Sequence, residues 1–122
     1  SMKTTINEGA LSSFIQTVKL DHVVWKSDVY AVLFGYSDKK SSDLADHASC
    51  RLGKWYSENQ GAAIGKSSPF RDLETPHAAV HRAGVAAINA KAEGDISTLE
   101  AKVIEMERSS EKVMLLLDKI VS

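Results

Sequence analysis

Two stretches of this chain repeat apolar residues at alternating steps of four and three, a spacing that dictates helices packed along their lengths. The first runs Leu11, Ile15, Val18, His22, Trp25, Val29, Val32, Tyr36. The second runs Ile96, Leu99, Val103, Met106, Ser110, Val113, Leu117, Ile120. His22 interrupts the first seam and Ser110 the second. A seven-residue repeat of this kind predicts left-handed packing of helix on helix. Strand-type alternation never exceeds a few residues, so the fold class is all-α.

Between the seams, local signals set the remaining boundaries. Gly35 with Ser37-Asp38 ends the first helix. A second helix is expected from Ser41 or Ser42, either of which can cap, through Trp55-Tyr56 to a stop at Asn59 and Gly61. Residues 61–74 (GAAIGKSSPFRDLE) read as one long loop, pinned by Phe70 and Leu73. Thr75-Pro76 reads as an N-cap followed by a first-turn proline. Glu93-Gly94 ends that third helix and Asp95 caps the fourth. Short, long and short connections predict an antiparallel four-helix bundle. Leu115, Leu116 and Leu117 widen the apolar surface of the last helix beyond one stripe, which predicts a homodimer.

The bulk properties narrow the function classes. The chain has 122 residues, enough for one domain with its own core. A formal net charge of −1, with Lys39-Lys40 the densest cationic point, argues against nucleic acid as the main partner. There is no apolar run near the ~20 residues that a membrane span needs, and no signal-peptide pattern. The single cysteine, Cys50, cannot form an internal disulfide, which favours a reducing, cytoplasmic setting. Ser1-Met2 reads as an expression scar, leaving residues 3–122 as a single domain.

Four histidines and Cys50 are the whole soft-ligand inventory. Taken singly, a histidine on an apolar face is most often a hydrogen-bonded core residue, and a lone cysteine a small buried hydrophobe. Taken together, His22, Cys50, His77 and His81 offer three nitrogens and one sulfur from three helices, a full tetrahedral set for zinc. Spacing alone leaves core and ligand readings both open. His77 and His81, at i and i+4, share one helix face. Between them stand Ala78, Ala79 and Val80, without the glutamate of the H-E-x-x-H hydrolases. No phosphate loop and no paired E-x-x-H occurs, so an enzyme is not expected. His47 shares the expected helix face of Cys50, and is placed in solvent or behind the ligands. Asp21 and Asp46 are the carboxylates best placed to orient a ligating imidazole. Trp25, one turn beyond His22, would roof the site, while Gly53 and Gly84 would let a neighbouring helix approach.

Three blocks carry a resemblance: His22-Val23-Val24-Trp25-Lys26 (H-x-x-W-K), Cys50-Arg51-Leu52-Gly53-Lys54-Trp55-Tyr56 (C-x-L-G-K-W-Y) and His77-Ala78-Ala79-Val80-His81 (H-x-x-V-H). In this order they resemble the chemoreceptor zinc-binding domain of bacterial signalling proteins. The resemblance implies a four-helix bundle, often dimeric, with zinc held by His22, Cys50, His77 and His81. It also implies a cytoplasmic sensory module, attached to a chemoreceptor or a diguanylate cyclase output domain, that responds to zinc or to oxidants such as hypochlorous acid. The start of the chain is more like the chemoreceptor-linked kind. A structural-zinc dimerisation module is the alternative.

Overall fold

A computed structural model describes residues 2–122, with side chains from Gly9 onward. The described residues form five α-helices: α1 (Met2–Leu33), α2 (Arg51–Asn59), α3 (Ser68–Arg71), α4 (Glu74–Glu93) and α5 (Ile96–Val121). Single 3-10 turns cover Ser41–Asp43 and Ala63–Lys66. No strand occurs among the described residues. Ser1, half of the expected scar, lies outside them.

The middle of each seam buries as its spacing demands, while the ends do not: Tyr36 and Ile96 are exposed. Ile15, Val18, Val29, Met106, Val113 and Leu117 are sealed from solvent, each contributing about 1.5–3 kcal/mol of burial. Against both seam helices packs α4, whose Ala79, Ala83, Ala87 and Ala90 are buried. These small side chains let α1 and α5 close on it. The contacts climb α1 while descending α5: Lys19 pairs with Asp118, His22 meets Ser110, and Lys26 and Tyr30 both reach Glu107.

Helix ends explain where the chain turns. After α1, Gly35 takes φ +81°, and the amides of Gly35 and Tyr36 bond back to Val32 and Ala31. Gly94 repeats the device after α4 at φ +74°, with its own amide on Lys91 and that of Asp95 on Ala90. Asp95 then caps α5, accepting from the Thr98 amide and hydroxyl.

Three sequence expectations need correction. The second helix starts at Arg51, not at Ser41 or Ser42. The Asp46 carboxylate accepts from the amides of Ala48 and Ser49, which gives residues 46–50 a turn in place of a helix. The third helix starts at Glu74, ahead of Thr75. Asp72 and Leu73 already have helical dihedrals, so a two-residue turn joins α3 to α4 and Thr75, inside the helix, is not its cap. Pro76 sits where helical amides lack intrahelical partners, so its missing N–H costs little. The long connection is correspondingly not a plain loop. Phe70 and Leu73 are buried in it, and the Phe70 ring stacks on Tyr56 and meets Trp55 edge-on. No described helix is long and apolar enough to cross a membrane.

Candidate metal centre

Because the turn at 46–50 replaces a helix, Cys50 becomes the N-cap of α2. Its sulfur accepts from the Gly53 amide at 3.4 Å and lies 3.5 Å from the His47 carbonyl. Gly53 is required by this closure. A Cβ there would stand 1.8 Å from the His47 oxygen, so the glycine admits the ligand loop itself, not a neighbouring helix as its position first suggested.

On the other side, α4 presents His77 and His81 one turn apart, with ring centroids 4.9 Å apart. The Cys50 sulfur lies 3.3 Å from His77 Nε2. One donor atom each of Cys50, His77 and His81 falls within 4.8 Å of the others. His81 Nδ1 lies 2.9 Å from the Ala45 carbonyl. A carbonyl only accepts, so Nδ1 carries the hydrogen and Nε2 keeps its lone pair. Trp25 donates its indole N–H to the same carbonyl at 3.0 Å, and its ring sits 4.3 Å from that of His81. Trp25 thus packs against one of the expected ligands. It also rests on Gly84, where a Cβ would come within 2.6 Å of the indole.

His22, the fourth expected ligand, is buried and lines the same cavity of about 580 Å³ as Cys50, His77 and His81. It is not within the three-donor group. Its Nε2 lies 2.7 Å from Ser110 Oγ. The polar interruptions of the two seams are thus each other's partners, a pairing their separate reading did not supply.

The expected orienting carboxylates do other work. Asp21 pairs with Arg51 at 3.1 Å, and Asp46 holds the turn before Cys50. The Ala45 carbonyl, invisible in a sequence, orients His81 instead. His47 is half-exposed and in the turn, not on a helix with Cys50, and its Nε2 meets Glu74 Oε1 at 2.9 Å. Lys26 of the H-x-x-W-K block also has a structural task, tying α1 to Glu107 on α5 at 2.6 Å.

Electrostatics favour neutral imidazoles. Burial, with Lys26 and His81 adding to it, lowers the His22 pKa to about 4. Burial and the neighbouring histidines lower His77 to about 3. Burial also depresses His81, against the opposing bond to Ala45. The Cys50 thiol is pushed up by burial, against the amides of Gly53 and Leu52. Neutral imidazole is the form that binds metal, and a divalent ion would displace the thiol proton. One thiol and two imidazoles, with no carboxylate among them, suit a borderline-soft cation over a hard one. The donor chemistry fits zinc.

A family model for the chemoreceptor zinc-binding domain matches residues 22–88, more than half of the chain. The matched span begins at His22 and includes Cys50, His77 and His81. Comparisons with curated proteins and with solved structures give no match. The thiol and imidazole cluster and the matched span agree: this chain belongs to the chemoreceptor zinc-binding domain family, whose cofactor is zinc.

Proposed function

We propose that this chain is a cytoplasmic sensory module of a bacterial signalling protein of the chemotaxis-receptor type, holding one zinc ion through His22, Cys50, His77 and His81. The observation that carries the reading is the convergence of the Cys50 thiol with His77 and His81. Zinc would cross-link α1, α2 and α4 and hold the thiol ionised. The chain's own residues supply the rest. The Ala45 carbonyl fixes the His81 tautomer, Trp25 packs against His81, and Gly53 lets the loop close on Cys50. Four protein ligands leave no position for a reacting water, which supports a regulatory over a catalytic role.

Cys50 is the point of response. Hypochlorous acid oxidising its thiolate would transfer OH to sulfur and leave as chloride, giving the sulfenic acid. The sulfur would then lose its negative charge, and the N-terminus of α2 would be released from the ligand cluster. We further propose that the helices form an antiparallel four-helix bundle and that the chain works as a homodimer beside a chemoreceptor or diguanylate cyclase output domain. Exposed Leu20, Val23 and Val24 on α1 and Ile104 and Leu115 on α5 support the dimer.

The same exposed residues favour the second reading, a structural-zinc dimerisation module. Exchange separates the two. A sensor releases zinc to a chelator or on treatment with hypochlorous acid, whereas a structural site keeps it. The first experiment is elemental analysis of protein never exposed to chelator. Zinc near one equivalent per chain, lost in Cys50→Ser, is the expected result. A helical protein without zinc would overturn the proposed ligand set.

A further inference from the structure

We infer that His47 is an alternative fourth ligand, competing with His22 for the ion held by Cys50, His77 and His81. Three donors within 4.8 Å leave a tetrahedral ion one ligand short. Two histidines stand outside that group and flank it. His22 has its Nε2 turned to Ser110. The His47 ring centroid lies 5.7 Å from that of His77 and 6.5 Å from that of His81, against 4.9 Å between those two.

The hydrogen bonding of His47 is already that of a ligand. A carboxylate accepts, so the 2.9 Å contact with Glu74 places a hydrogen on Nε2, and in the neutral imidazole Nδ1 is then the nitrogen with the lone pair. Carboxylate-paired imidazoles of this kind are the ones commonly found on metals, where the partner fixes tautomer and ring orientation. His47 also belongs to the turn whose carbonyl touches the Cys50 sulfur, so it is carried on the same short segment.

The exchange is balanced without a proton. One neutral imidazole nitrogen leaves the ion as another arrives, and the charge of the site is unchanged. What changes is connectivity. With His22 the ion ties α1 to the ligand loop and α4. With His47 every ligand lies within residues 47–81, and α1 loses its link through the ion while keeping those of Trp25 to Ala45 and Asp21 to Arg51. His47 is half-exposed while His22 is buried, so the same exchange gives the ion a path between solvent and interior.

The inference rests on the proposed ligand set, and cobalt(II) substitution tests the two separately. Wild type, His22→Gln, His47→Gln and the double variant are loaded with cobalt, and zinc affinity is measured by chelator competition. His22→Gln is expected to keep the intense absorption of a four-coordinate cobalt–thiolate site, with affinity within about tenfold of wild type. The double variant is expected to lose at least about a further tenfold and the four-coordinate spectrum. Identical spectra and affinities for His22→Gln and the double variant would overturn the role of His47 alone. A wild type without the sulfur-to-cobalt band would overturn the ligand set itself. Should circular dichroism show His22→Gln unfolded, His47→Gln decides. Zinc release to chelator slows severalfold if His47 serves the ion, and an unchanged rate refutes it.

Discussion

Replacing Gly53 by alanine adds one methyl group to α2, and the structure says what that methyl meets. It would stand 1.8 Å from the His47 oxygen, 2.8 Å from the carbon of that carbonyl and 2.9 Å from the Ala48 carbonyl carbon. Ordinary contact begins near 3.4 Å, and backbone cannot rotate aside as a side chain can. The ligand loop must therefore retreat by about 1.5 Å or α2 must tilt, a strain of about 1–3 kcal/mol. The better helix propensity of alanine offsets at most about 1 kcal/mol of it. Retreat of the loop also loosens the amide that Gly53 directs at the Cys50 sulfur. Zinc affinity should fall by about 10–100-fold, as when groups that orient metal ligands are removed. Competition against a chromophoric chelator gives the affinity, and a thermal melt of the metal-free protein gives the strain. Gly61→Ala is the control, since its added methyl meets nothing within 4 Å. Gly53→Ala with wild-type affinity and an unchanged melt would refute the argument that loop closure positions Cys50.

Ser110→Ala leaves His22 Nε2 buried without its partner and should cost about 1–3 kcal/mol in urea denaturation of the metal-free protein; an unchanged midpoint would dismiss that hydrogen bond. Acid should also weaken the metal-free fold. His22 and His77 have pKa values of about 4 and 3 in the folded chain, below the usual 6.5, so below that pH the unfolded chain binds more protons. Stability is then full at neutral pH and falls as pH drops from about 6.5 towards 3, by up to roughly 3–5 kcal/mol per histidine. Equal unfolding free energies at pH 7.5 and pH 5, by denaturant titration, would contradict this. Finally, burial and then the Glu107 carboxylate raise the Tyr30 pKa to about 12. Glu107→Gln should bring the Tyr30 titration, followed by NMR, part of the way back towards 10, and no movement would show that Glu107 has no such influence.

What the sequence disclosed and what it hid follow a physical division. Periodicity reports burial along a helix, so the seam from Ile15 to Val32 and that from Met106 to Leu117 were legible, as were the stops at Gly35 and Gly94 and the cap at Asp95. The convergence of Cys50 with His77 and His81 came from the resemblance of the three blocks, because spacing alone left core and ligand readings open. The start of α2 was not legible, because Asp46 and two serines can cap a helix or close a turn with the same oxygens. The orientation of His81 was hidden for a different reason: its partner is a main-chain carbonyl, which every residue possesses. The His22–Ser110 pair spans most of the chain, and no local rule links two polar gaps in separate seams.

The shared carbonyl of Ala45 gives the centre an optical handle. The indole N–H of Trp25 and Nδ1 of His81 hang from one oxygen, with the rings 4.3 Å apart. Anything that reorients His81, or charges it, perturbs the emission of an adjacent indole. The chain's other tryptophan, Trp55, is occupied elsewhere, against Phe14 and Phe70. With Trp55→Phe, the fluorescence of the protein becomes the fluorescence of its ligand site, so metal arrival and thiol oxidation can be timed without a label.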